Sequence, residues 1–309
     1  MKIIVTGALG HIGSKIIRDL VKKYHDKKII MIDNLMTQRY ASLFNLPKSG
    51  KYNFIQKNIN EFELESILEP NDIVIHLAAI TDAAGSINRS KELEENNYNT
   101  TYNVSNACLK SGAFLITLSS TSVYGTQKSL VSEECSDDEL KPQSPYATTK
   151  LKEEKLVNDL TKKGLRAVTC RFGTIYGISE GMRFHTAVNK FCWQAAMGQP
   201  ITVWRTAYDQ KRPYLDLNDA SRAFNHIIDN NIFDGRIYNV LTDNLTVRDI
   251  VNTIKEYVPS LEIKFVDNPI MNQLSYEVSC ERFLKTGFKF KGNIKEGIGR
   301  TISLIKPPN

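Results

Sequence analysis

Tyr146 and Lys150 stand four residues apart in Gln143-Ser144-Pro145-Tyr146-Ala147-Thr148-Thr149-Lys150, a stretch that opens a helix. That spacing puts both on one helix face, with the ammonium close enough to bias the ionisation of the phenol. A free tyrosine, with a pKa of about 10, is ionised to roughly one part in a thousand at neutral pH, too little for an efficient general base. Nearby positive charge favours the phenolate. Earlier in the chain, Ser119-Ser120-Thr121-Ser122-Val123-Tyr124-Gly125 follows a buried-strand pattern. Ser120 is expected there to hydrogen-bond a substrate hydroxyl and keep it aimed at the phenol oxygen. Taken singly, each feature also reads blandly, as a chance pair on a helix and as a polar loop.

These side chains need something to act with, and the opening stretch MKIIVTGALGHIG supplies it. Lys2 to Val5 reads as a strand buried on both faces, and Ile12, Ile16, Ile17, Leu20 and Val21 keep to one side of a following helix. Gly7, Gly10 and Gly13 punctuate the junction at three-residue intervals. Gly7 permits a tight turn, Gly10 lets backbone approach a pyrophosphate, and Gly13 lets helix and strand pack closely. The helix N-terminus offers its N–H groups to that anion. A second apolar run, Lys28 to Ile32, ends in Asp33, where a dinucleotide-binding strand carries a carboxylate for the ribose 2′-hydroxyl. An aspartate repels a 2′-phosphate, so NAD is expected over NADP, with Arg39 the nearby feature pulling the other way. An oxidised nicotinamide adds to the positive charge around the phenol, and Lys150 is placed to hold its ribose.

The whole chain bounds these readings. At 309 residues it can bury a substantial core. Its 41% hydrophobic and 24% charged residues are ordinary for a globular protein and exclude disordered or fibrous classes. No apolar run approaches bilayer-spanning length, and the first strand starts at residue 2, so a cytoplasmic location without a membrane partner is expected. Five scattered cysteines without a CxxC pair read as reduced thiols, Cys108 and Cys170 as core residues. A net charge of +6 with no basic run interleaved with aromatics argues against nucleic acid and leans toward small anionic substrates.

Strand-like and helix-like stretches alternate as far as Arg171, the pattern of a parallel sheet wrapped by helices. Strands are predicted at 2–6, 28–33, 52–56, 72–77, 113–119 and 166–171. Helices are predicted at 11–24, 61–69, 89–111 and 145–163, with Gly112 and Gly164 closing the last two. A helix from 184 to 197 and a strand 201–204 then open a smaller unit, before a helix near 218–229 and a strand 236–240 return to the sheet. The expected fold is α/β: a Rossmann-type doubly wound parallel sheet, 1–175 plus 215–242, interleaved with a smaller α/β substrate domain, 176–214 plus 243–309. The cleft is expected at the carboxyl ends of the strands.

With TGALGHIG, Asp33-Asn34-Leu35, Val74-Ile75-His76-Leu77-Ala78-Ala79, Asn97-Tyr98-Asn99-Thr100-Thr101, SSTSVYG, SPYATTK, RFGTIYG and Lys211-Arg212-Pro213-Tyr214-Leu215-Asp216, the chain resembles the NAD-dependent epimerase/dehydratase family of extended short-chain dehydrogenases/reductases over nearly its full length. The resemblance implies a catalytic trio of Ser120, Tyr146 and Lys150. It implies an NAD site that adds His11, Ile12, Asn34, Asn58, Ile59, Leu77, Ala78, Ala79 and Asn99 to the glycines and Asp33. Thr81, Thr121, Ser122, Thr174, Asn272 and Tyr276 are expected beside the substrate, and Arg212 as the clamp on its diphosphate, since a guanidinium fork binds phosphate oxygens in pairs. His76, inside a buried strand motif, is expected to be structural. A homodimer or higher homo-oligomer, paired through helices 89–111 and 145–163, is also implied.

Three departures qualify the resemblance. Asn58 stands where many relatives carry aspartate, and Thr174 where sugar-binding members have asparagine. Thr121 and Ser122 stand where the 4,6-dehydratases place an Asp-Glu pair and decarboxylating relatives a glutamate. Without those acids, elimination and decarboxylation are disfavoured. The expected reaction is hydride transfer at C4 of a nucleoside-diphosphate sugar, with Tyr146 taking the hydroxyl proton. A keto sugar that turns over in the cleft gives net 4-epimerisation; one that leaves gives a 4-dehydrogenase or, in reverse, a 4-ketoreductase. A catalytically silent NAD-binding regulator is the reading from another class.

Overall fold

A computed structural model describes residues 1–81, 90–125, 129–267 and 275–306. In chain order the first elements are β1 (Ile3–Thr6), α1 (His11–Lys23), β2 (Lys28–Asp33), β3 (Lys51–Gln56), β4 (Ile73–His76), α2 (Ser90–Ser111), β5 (Phe114–Ser120), β6 (Leu130–Val131), α3 (Pro145–Thr161) and β7 (Arg166–Phe172). They are followed by β8 (Thr174–Tyr176), α4 (Ala187–Ala196), β9 (Ile201–Trp204), β10 (Lys211–Asp216), α5 (Leu217–Asp229), β11 (Ile237–Val240), β12 (Asp243–Thr246), α6 (Val247–Tyr257), β13 (Ile263–Val266), β14 (Glu277–Val278), α7 (Glu281–Leu284) and α8 (Ile294–Ile305).

Seven strands form one sheet in the order β11-β7-β5-β4-β1-β2-β3, every neighbouring pair parallel. This is the doubly wound sheet expected from the alternation of elements. The chain lays β1, β2 and β3 outward in one direction, then crosses back to place β4 on the other side of β1. The carboxyl ends of β1 and β4 therefore diverge at a switch point, where such sheets open a crevice for ligands. Both faces are covered, because alternate residues of each strand belong to different cores. Ile3, Val5, Ile73 and Ile75 pack with α1 and α5 residues such as Ile17 and Phe224. Ile4, Val74 and Leu115 pack with Val104 and Cys108 of α2 and Val157 of α3.

Gly112 and Gly164 have φ of 71° and 106° and end α2 and the turn after α3, as anticipated. The helix expected at 61–69 is absent: a single 3-10 turn, Leu64–Ile67, stands there instead. So short a segment, running into Pro70, does not repay the cost of nucleating a helix. The strand after Gly173, β8, was not anticipated. It pairs with the last residues of β10 rather than extending the central sheet, and β10 pairs on its other edge with β12. A separate core, built on Tyr176, Val188, Phe191, Tyr214, Ile250 and Ile298, lies under this three-stranded sheet and α4, α6 and α8.

Candidate active site

Gly7 turns out of β1 at φ +65°, and a Cβ there would lie 2.7 Å from the Ala78 nitrogen; one on Gly13 would lie 2.4 Å from the Gly7 oxygen. Gly10, with ordinary φ, is the N-cap of α1, whose first turn has neither an acidic residue nor a side-chain cap. Among the described residues no side chain caps its leading N–H groups, the arrangement that suits an anion. Asp33 ends β2 with Oδ2 accepting from Leu9 N at 3.0 Å and Oδ1 from Leu35 N at 2.9 Å, which aims the carboxylate across the turn. These features fit a dinucleotide.

Around the turn sit groups of both kinds, foreseen and unforeseen. His11 is buried; its Nδ1 lies 3.2 Å from Ser179 Oγ, and its Nε2 has no partner among the described residues. Burial, with the cations of Arg183 and Arg39, holds its pKa down to about 3, so the imidazole is neutral. Ser179 also donates to the His11 carbonyl, and Ser14 Oγ accepts from Gly181 N, so the 179–183 loop is laid over the glycine turn. Arg183, from that loop, donates to Thr81 Oγ1. The sequence reading did not single out Arg183.

Across the switch point, Leu77 N and Ala78 N both donate to Thr6 Oγ1 at 3.2 Å, fixing the backbone that leaves β4. Asn97 clamps the next turn: its Oδ1 accepts from Ile80 N at 2.8 Å and its Nδ2 donates to Ile80 O at 2.9 Å. Asn99, expected beside the cofactor, is exposed, whereas Asn97 is 1% exposed. Helical period carries the signal, because Leu93, Asn97, Thr101 and Cys108 form the buried stripe of α2. Ile59 is buried; Ile12, Asn58 and Ala79 are half-buried and Asn34 exposed. Asn58 bonds within its own turn, accepting from Asn60 N at 3.1 Å.

Ser120, Tyr146 and Lys150, the trio expected to be catalytic, come from two elements that pack together. Ser120 ends β5 and caps a 3-10 turn, Thr121–Val123. Its Oγ accepts from Ser122 N at 3.2 Å and Ser122 Oγ at 2.9 Å, which leaves its own hydrogen to be donated elsewhere. Ser144 caps α3 by accepting from Ala147 N at 3.2 Å, and Pro145 occupies the first turn, where its missing N–H costs nothing. Tyr146 is thereby set at the helix mouth, half-buried, and α3 packs against β5, β7 and the turn after Ser120. Lys150 is 5% exposed, its Nζ 5.8 Å from the centre of the Tyr146 ring. The same Nζ donates to Glu153 Oε2 at 2.8 Å.

His76, as expected, is a structural group. Its Nδ1 lies 2.7 Å from Thr6 Oγ1 and its Nε2 3.3 Å from Thr101 Oγ1, and burial, with Lys150 nearby, lowers its pKa to about 3. Beneath the serine turn, Arg171 forms a bidentate pair with Glu154 and donates to Tyr124 Oη at 2.9 Å. Thr121 Oγ1 donates to Phe172 O, and Thr121 O accepts from Tyr276 Oη at 3.1 Å. Tyr276 is therefore buried against the turn, and Arg212 stacks over its ring at 5.2 Å. Arg212 donates to Lys211 O and Gln210 Oε1, and Thr174 is half-buried beside Tyr214. Asn272 lies outside the described residues. Among the described residues no cluster of His, Cys, Asp or Glu could hold a metal, and no helix is long and apolar enough to cross a membrane.

The chain is 28% identical over 312 residues to a trifunctional UDP-glucose 4,6-dehydratase/UDP-4-keto-6-deoxy-D-glucose 3,5-epimerase/UDP-4-keto-L-rhamnose-reductase of Arabidopsis thaliana, covering 97% of this chain and 46% of the relative. It thus spans about half the length of that protein. It is 30% identical to an uncharacterized UDP-glucose epimerase of Bacillus subtilis, covering 83% of this chain and 82% of the relative. Among solved structures, UDP-glucuronic acid 4-epimerase from Bacillus cereus, in complex with NAD, superposes with a TM-score of 0.84 at 25% identity, covering 99% and 96% of the two chains. UDP-N-acetylglucosamine 4-epimerase from Methanobrevibacter ruminantium has the same fold, with a TM-score of 0.86 at 24% identity over 98% and 97%. The family model described as NAD dependent epimerase/dehydratase matches residues 3–240. The chain therefore belongs to the NAD dependent epimerase/dehydratase family.

Proposed function

We propose that this protein catalyses NAD-dependent 4-epimerisation of a nucleoside-diphosphate sugar. One observation carries the reading: Tyr146 and Lys150 are held on one face of α3 against the Ser120 turn, while the two following positions are Thr121 and Ser122. The nucleotide-sugar epimerases and the UDP-glucose 4,6-dehydratase among its relatives support the substrate class.

Ser120 donates its hydroxyl hydrogen to the C4 oxygen and aligns it. Tyr146 takes the C4 hydroxyl proton and later returns it, and the Lys150 ammonium steadies the charge that forms on the phenol oxygen. Bound NAD supplies the hydride acceptor and donor. Arg212, with a planar guanidinium stacked on Tyr276, neutralises the sugar's diphosphate. Water elimination needs a general acid and base beside the sugar, and a hydroxyl at Thr121 or Ser122 is too weak an acid to replace a carboxyl pair.

The test is incubation with NAD and a panel of UDP-, GDP-, CDP- and dTDP-linked sugars. Conversion to the C4 epimer without build-up of reduced nicotinamide supports the reading. Stoichiometric reduced nicotinamide or a 4-keto-6-deoxy product would overturn it.

A further inference from the structure

Glu153 continues the stripe of α3 that carries Tyr146 and Lys150, three residues beyond the lysine and seven beyond the tyrosine. It is 3% exposed. Its Oε2 accepts from Lys150 Nζ at 2.8 Å and from Thr101 Oγ1 at 2.9 Å, while Oε1 is buried with no hydrogen-bond partner among the described residues. A carboxylate taken out of water is costly unless a charge answers it. Lys150 is that charge.

The donors around this pair run in one direction. Thr101 spends its hydroxyl hydrogen on the carboxylate, so it can only accept from His76 Nε2; His76, neutral, then accepts at Nδ1 from Thr6. Thr6 in turn receives the Leu77 and Ala78 N–H groups. The chain of bonds ties the lysine to the strand ends that frame the cofactor crevice. Strand alternation explains it: Thr6 and His76 sit in register and share their face with Ile4 and Val74, which pack with residues of α2 and α3.

We propose that Glu153 is a positioning residue that holds the Lys150 ammonium in an ion pair and so limits the positive charge available to the Tyr146 phenol. Burial alone would lower the lysine's pKa, but Glu153, with the Tyr146 oxygen and Glu154, outweighs it and raises the group above its ordinary value. The other groups facing the pair do not substitute for Glu153. His76 from β4 is uncharged, and Glu154 is engaged on the far side by Arg171 of β7. An ammonium with a carboxylate 2.8 Å away acts on the phenol as a dipole rather than as a full charge. Glu153 thus sets where the ammonium stands and how much of its charge reaches the phenol oxygen. The inference rests on Tyr146 being the proton-transfer group of the proposed reaction.

The test is a 13C NMR titration of protein labelled at tyrosine Cζ, with the Tyr146 signal assigned from Tyr146→Phe, so the readout needs no substrate. In Glu153→Gln, which keeps the shape and removes the charge, the phenol should ionise about one pH unit lower than in the parent chain. Glu153→Asp, which keeps the charge at shorter reach, should move it less in the same direction. Thr101→Val leaves the carboxylate to Lys150 alone and should not move it down. The acid limb of kcat/KM should shift with the phenol. A phenol titration unmoved in Glu153→Gln, or lowered equally in Thr101→Val, would overturn the proposal. Absence of sugar turnover in the parent chain would instead defeat the proposed reaction.

Discussion

Tyr146 contributes one oxygen to the site, and removing it isolates its role. Tyr146→Phe should cut turnover by about a hundred- to ten-thousand-fold, the usual worth of a positioned acid–base group, while leaving NAD bound, as measured by steady-state kinetics and cofactor retention on a sizing column. Arg212→Ala should leave kcat close to the parent value and raise KM about ten- to a hundredfold, because the lost charge-assisted bonds hold the part of the sugar that does not react. The histidines act on stability. His11 and His76 are held near a pKa of about 3 against an ordinary 6.5, so the unfolded chain takes up protons that the folded chain refuses. Their contribution is complete above pH 6.5 and is lost as pH falls toward 3, at up to about 1.4 kcal/mol per pH unit for each. Urea melts from pH 7 to 4 should show this slope, and His76→Asn should make it shallower.

At the scale of elements, the glycine turn carries the sharpest expectation. Gly13→Ala puts a methyl group 2.4 Å from the Gly7 carbonyl oxygen, so helix and strand must separate. It should lower stability by about 1–3 kcal/mol and weaken NAD binding more than sugar binding, seen by thermal melts and calorimetry. This turn was legible because its rule is local: a strand, three glycines and a helix follow one another in the chain. The shared face of Tyr146 and Lys150 was legible for the same reason, since the two lie four residues apart on one helix. Asn97, Glu153 and Arg183 were missed because their importance arises from what they meet across the fold. Asn97 meets a loop from β4, Glu153 meets a threonine of α2, and Arg183 meets Thr81. For Asn97 and Glu153, helical period held part of the answer, since each falls on its helix's buried stripe. Tyr276, expected beside the substrate, is buried and donates its hydroxyl to the Thr121 carbonyl oxygen, a contact no local pattern encodes.

At the scale of the molecule, the order of strands decides where chemistry happens. The crossing from β3 back to β4 makes the switch point, β5 and α3 carry Ser120, Tyr146 and Lys150, and the unit built on β8, β10 and β12 carries Arg212 and Thr174. Because NAD would bind the folded sheet and not the unfolded chain, a hundredfold excess over its Kd should raise stability by about 2.7 kcal/mol, read as a higher Tm. The central claim is that hydride leaves C4 and returns to it within one closed cleft. The direct measurement is turnover of a nucleoside-diphosphate sugar carrying deuterium at C4, followed by NMR in the presence of unlabelled NAD. The account predicts an epimer that keeps its deuterium at C4, with no 4-keto-6-deoxy sugar formed. Deuterium recovered in free reduced cofactor, or a product that has lost water, would contradict it.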